Sequence, residues 1–253
     1  TQSLAILPLV GLLAAVVWML PDVRSLQLGG GLLVTFVMAY LVIECNNRYQ
    51  LLRVRSRMNS VVFLALMAAF PGAHLLGWHL APAAALLAAY FVLFRVYGQT
   101  RTQGPLFHVT LLLSLGCLVF PPLFLVIPFA LFVAAVQLRA LRPAAFGAAV
   151  LGWLLPYWIY AAILLALHGF DWTLLPTYYA NVLPQLPKFD YVAVNPLTWV
   201  SYATVIVPGL IGTAHFYYTS YNDKIRTREF LYSLTELQIT IILLTALYPE
   251  QSR

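Results

Sequence analysis

The chain has 253 residues, 62% of them hydrophobic and only 9% charged. A soluble globular domain is about half apolar and about a quarter charged, so this composition excludes a soluble protein and implies an all-α, polytopic transmembrane helical bundle. The formal charge of +6 does not point to nucleic acid, because the basic residues sit in short stretches between apolar runs.

No hydrophilic segment is long enough for a soluble domain, so residues 1–253 are expected to form a single transmembrane domain. The chain starts with Thr1 and ends soon after an apolar segment, and both termini are expected to be trimmed. Residues 4–20 lack a basic leading region and a small-residue cleavage site, which predicts a mature helix and not a signal peptide. A spanning helix needs about 20 apolar residues, with about 17 as the lower limit. Apolar segments follow at about 29–45, 60–78, 82–97, 106–120, 122–138, 144–167, 198–219 and 229–248, about nine in all. Gly29, Gly30 and Gly31 open the second segment without the Gly-Lys-Ser/Thr of a phosphate-binding loop, so they read as small residues that ease helix contact.

The stretch LGCLVFPPLFLVIPF, residues 115–129, decides the topology. Counted as one crossing, 106–138 would put Arg139, Arg142 and the Lys224 cluster opposite the earlier arginines. Counted as two, it places eleven basic residues on one side: Arg48, Arg53, Arg55, Arg57, Arg95, Arg101, Arg139, Arg142, Lys224, Arg226 and Arg228. Cytoplasmic loops are enriched in Lys and Arg, so a short proline-turn hairpin is predicted, turning at Pro121-Pro122 on the outer side. Neither proline can donate to the helical ladder, and each pushes its predecessor out of helical geometry. Pro128 is expected to kink the returning arm. The N-terminus is then cytoplasmic, and residues 168–197 form a long outer loop. Within it, Leu174, Leu175, Tyr178, Tyr179 and Val182 recur at helical intervals, which predicts an interfacial helix over 171–183.

Few residues stand out chemically. Glu236 lies inside the last apolar segment, roughly 10 Å beyond Glu229 at about 1.5 Å per residue. A carboxylate at such depth is costly and turns toward a partner or a pathway, so Glu236 and Thr240 are candidates for a ligand or proton path. The face they share with Tyr232 and Ser233 is expected to turn inward, with Ile239, Ile242 and Leu243 toward lipid, and His215 and Tyr217 as candidate partners of the carboxyl. Asp22, Asp171 and Asp190 share the outer side and are weak catalytic candidates, because paired carboxylates suit general acid–base work; the alternative is that they are solvated loop residues. Arg48, Arg53, Arg55 and Arg57, with Lys224, Arg226 and Arg228, suit contact with anionic lipid or a membrane-protein partner. The five histidines do not converge at one depth. No metal site and no cofactor are implied, and Cys45 and Cys117 read as free thiols.

The stretches ECNNRYQLLRVRSRMNS, FLALMAAFPGAH, FPPLFLVIPF, LRALRPAAFGAAVLGWLLPYW and SYNDKIRTR together resemble an uncharacterised family of polytopic inner-membrane proteins from one lineage of Gram-negative bacteria. Its members are sometimes auto-named beta-carotene 15,15'-monooxygenase. The resemblance implies a bacterial inner (cytoplasmic) membrane location and carries no residue role; the iron chemistry in that name would need converging histidines. The expected function is a non-catalytic integral membrane subunit or scaffold of a bacterial envelope complex. The alternatives are a small-molecule or lipid transporter, and a membrane transferase using a lipid-linked sugar with Asp22 as its acidic residue.

Overall fold

The computed structural model describes residues 6–21, 25–51, 58–70, 74, 76–77, 80–168 and 196–248. The described residues form no strand. In chain order the helices are α1 (Ile6–Met19), α2 (Leu26–Tyr49), α3 (Met58–Ala69), α4 (Leu80–Phe94), α5 (Gln103–Val119), α6 (Val126–Val136), α7 (Pro143–His168), α8 (Pro196–Thr219) and α9 (Ile225–Leu247). Two 3-10 turns, Pro121–Leu125 and Ser220–Asn222, precede α6 and α9. Among the described residues, four helices, α2, α7, α8 and α9, are long and apolar enough to cross a membrane; the other five described helices are apolar but shorter. This length and composition mark a helical membrane protein.

The chain divides into two compact units, Thr1–Phe91 and Val92–Arg253. In the first, polar side chains pin helices to each other's backbones. Trp18 is 1% exposed. Its ring stacks on His74 at 4.0 Å, and its Nε1 donates to the His74 carbonyl at 2.9 Å. Ser60 Oγ donates to the Ala39 carbonyl, tying α3 to α2. Tyr49 Oη donates to the Phe91 carbonyl, tying α2 to α4. Ser25 caps α2, accepting from the Leu28 amide. The Gly29–Gly31 run does ease a close approach: a Cβ at Gly30 would stand 2.7 Å from Leu76 Cδ2. Its neighbour there is Leu76, outside any helix, whose amide donates to the Gln27 carbonyl. The expected segment 60–78 is cut short, because α3 stops at Ala69. Phe70 precedes Pro71, and a residue before proline is driven from helical geometry.

In the second unit, α5 and α7 pack along a seam of small residues. Thr110 Oγ1 donates to the Ala149 carbonyl at 2.7 Å. One turn further on both helices, Ser114 Oγ donates to the Trp153 carbonyl at 2.7 Å. Ala145, Ala149 and Gly152 are buried opposite them. A Cβ at Gly152 would strike the Phe107 carbonyl and lie 2.6 Å from Thr110 Oγ1, so only glycine fits. Both bonds join residues 39 apart. The two helices therefore run parallel, and α6 must return between them.

That return is the hairpin read from the prolines. α5 ends where Phe120, at φ −129° and ψ 87°, leaves helical geometry ahead of Pro121. The Phe120 amide still donates to the Gly116 carbonyl at 2.8 Å. The chain turns through Pro121–Leu125 and starts α6 at Val126. Pro128 does not kink this arm. It is the third residue of α6, in the first turn, where a missing amide hydrogen costs nothing. The hairpin is closed at its open end by Thr102 Oγ1, which donates to the Ala140 carbonyl at 2.8 Å.

Candidate functional site

Two features of the second unit carry chemistry: a carboxyl–carboxamide pair inside the bundle, and a basic end. The first joins α6 to α9. α9 follows Lys224, whose carbonyl accepts from the Arg228 amide. Its inward face carries Phe230, Ser233 and Thr240, all buried, and Glu236, half-buried. Gln137 follows α6 directly, its amide donating to the Val133 carbonyl. The Leu138 and Ala140 amides then donate to the Val133 and Ala134 carbonyls, with Arg139 between them in left-handed geometry at φ 49°. This tight exit fixes Gln137 opposite α9, where its Nε2 donates to Glu236 Oε1. Glu236 Oε2 and Gln137 Oε1 are both buried and have no hydrogen-bond partner.

The expected partners of Glu236, His215 and Tyr217, are not the ones it meets. Tyr217 instead packs on Tyr232, ring centroids 5.6 Å apart, and His215 is exposed. The physical reason is that α8 meets α9 through other residues: Thr213 Oγ1 donates to Gln238 Oε1 at 2.8 Å, and Gly209 lets Gln238 approach to 2.5 Å of a notional Cβ. Glu236 sits two residues from Gln238, on the side of the helix toward α6. Thr240 Oγ1 donates to the Glu236 carbonyl, not to its carboxyl. Ile239 and Leu243 are exposed as expected, whereas Ile242 is half-buried. Beside the pair lies an open groove of about 390 Å³ lined by Pro128, Phe129, Phe132, Glu236 and Ile239.

The second feature is the basic end where the hairpin opens. Thr102–Ala140 brings two segments together there, and Arg142 Nη1 donates to the Thr100 carbonyl at 3.2 Å. Phe230 joins the start of α9 to the same place, with ring centroids 4.7 Å from Phe94 and 5.4 Å from Tyr97. Arg95, Arg101, Arg139, Arg142, Lys224 and Arg226 are all exposed around this junction, and Arg228 is half-buried. The Arg226 guanidinium lies 5.4 Å from the Phe230 ring centre. The fold thus joins three basic stretches that are far apart in sequence. In the first unit, Arg48 is exposed at the end of α2 and lies 5.9 Å from the Phe91 ring centre.

Asp22, Arg53, Arg55, Arg57, Asp171 and Asp190, together with the interfacial helix expected over 171–183, lie outside the described residues. The residue that sequence reasoning missed is Gln137, an amide just before the basic LRALR stretch, 99 positions from Glu236. Comparison of the chain with protein-family models, with curated proteins and with solved structures finds no match.

Proposed function

We propose that the chain is a non-catalytic integral membrane subunit that scaffolds or stabilises a larger bacterial envelope complex. It would sit in the inner membrane with its N-terminus in the cytoplasm. The observation that carries this reading is α8. It is long and apolar enough to span, yet none of the residues in its most apolar stretch is buried by the rest of the chain. Gly209, Thr213 and Tyr217 meet α9, and exposed side chains elsewhere on α8 offer a surface for association. Its outward residues include Thr204, Gly212 and His215, and small and polar residues are what membrane helices use to associate. The basic end, with Lys224, Arg226 and Arg228, supplies anionic-lipid or partner contact at the membrane surface.

A second reading, a transporter of small molecules or lipids, draws on the groove beside Glu236. Against it, the carboxyl is engaged by Gln137 and the other groove residues are apolar. The transferase reading rests on Asp22 and gains no support from the site geometry. Purification in mild detergent, followed by mass spectrometry of intact complexes, tests the subunit reading and separates it from the transferase. The subunit reading expects a stoichiometric protein partner. A chain that remains alone contradicts it, and a retained polyprenyl lipid favours the transferase.

A further inference from the structure

The Glu236–Gln137 pair contains an unusual imbalance. One hydrogen bond joins the two planar groups, Gln137 Nε2 to Glu236 Oε1. The remaining oxygen of each group is buried and has no donor. Both orphans are acceptors if the carboxyl is ionised, and neither can then satisfy the other. Buried polar atoms are nearly always paired, and two orphans within one pair call for a common cause.

We infer that Glu236 holds a proton on Oε2 and donates it to Gln137 Oε1, so that the carboxyl and the carboxamide close a ring of two hydrogen bonds. A carboxylic acid offers one donor and one acceptor on adjacent atoms, and so does a primary amide. The single proton satisfies both orphans at once and leaves no net charge inside the bundle. The groups around the pair agree. α6 and the Pro121–Leu125 turn contain no titratable residue, and Arg139, two positions beyond Gln137, is exposed. On α8 the nearest are Tyr217, packed on Tyr232 one turn before Glu236, and His215, which is exposed. On α9 itself Arg226, Arg228 and Glu229 precede Glu236 by about two turns or more. No cation of these elements reaches the carboxyl, whose one polar partner among the described residues is Gln137. The pair is thus a one-proton site that clips α6 to α9. It goes beyond the subunit reading and does not depend on it.

The test is infrared spectroscopy of the full chain in lipid bilayers near neutral pH, with carboxyl-labelled glutamate. The sequence has four glutamates, Glu44, Glu229, Glu236 and Glu250, so subtraction of the E236Q spectrum isolates one. The expected result is loss of a single protonated-acid carbonyl band, with the carboxylate bands unchanged. In Q137L that acid band should move to the position of a carboxyl lacking its amide partner. Loss of a carboxylate band in E236Q overturns the inference. So does an acid band whose position is unchanged in Q137L, and this arm decides alone if E236Q does not fold.

Discussion

Replacing Gly152 by alanine probes the α5–α7 seam at its closest point. The added Cβ would strike the Phe107 carbonyl and come within 2.6 Å of Thr110 Oγ1. Neither obstacle is the free end of a flexible chain, because Thr110 Oγ1 is already committed to the Ala149 carbonyl. The helices must separate by some tenths of an ångström, which also stretches the Thr110 and Ser114 bonds. Overpacking of this kind costs about 1–3 kcal/mol. Alanine returns about 0.5–1 kcal/mol through its better helix propensity, which leaves a net loss of roughly 1–2 kcal/mol. Gly147 lies on the same helix, and a Cβ there meets nothing within 4 Å. Gly147→Ala should therefore be neutral or stabilising by up to about 1 kcal/mol. The two variants should differ by about 2 kcal/mol, which is roughly 30-fold in the unfolding constant. Equilibrium unfolding in mixed micelles measures both against the parent. Equal stability of the two variants would refute the parallel, glycine-centred seam.

In the first unit, Trp18→Phe removes the bond to the His74 carbonyl and should cost about 1–2 kcal/mol by the same measurement. Thr102→Val leaves the Ala140 carbonyl without its donor at the mouth of the hairpin, and a loss of about 1 kcal/mol is expected. Single cysteines at the exposed positions Arg101 and Arg139 should both react with a membrane-impermeant thiol reagent from one side, and a cysteine at Phe120 from the other. Labelling of Arg101→Cys and Arg139→Cys from opposite sides would contradict the hairpin. Reversing Arg139 and Arg142 to glutamate should lower retention of anionic phospholipid in native mass spectrometry. Unchanged retention would remove lipid headgroups as the occupant of the basic end.

What the sequence revealed and what it hid divide along physical lines. Pro121 and Pro122 act through local sterics, so the hairpin was legible from them and from the charges on either side. Pro128 misled, because its effect depends on where α6 begins, and a shift of a few residues turns a kink into an ordinary first-turn proline. The inward face of α9 was legible because Ser233, Glu236 and Thr240 recur at helical spacing on an otherwise apolar helix. Its partner was not: α6 is apolar all round, and hydrophobic periodicity cannot say which helices meet when no face is distinguished. Gln137 therefore read as a polar residue at a segment end. Gly147 and Gly152 are likewise equivalent in sequence, and only the approach of Phe107 and Thr110 separates them. The basic stretches were each visible, but their junction around Phe230 is a tertiary contact between residues more than a hundred positions apart.

Site-specific photo-cross-linking from α8 in intact membranes tests the subunit reading most directly. A cross-linkable residue at Ile211, which is 65% exposed, should yield a discrete protein adduct of fixed mass. The same probe at Leu113, fully buried on α5, should yield only internal products. Adducts confined to lipid at Ile211, and at Val207 and Leu210 beside it, would contradict a membrane-protein partner on α8 and with it the proposed role.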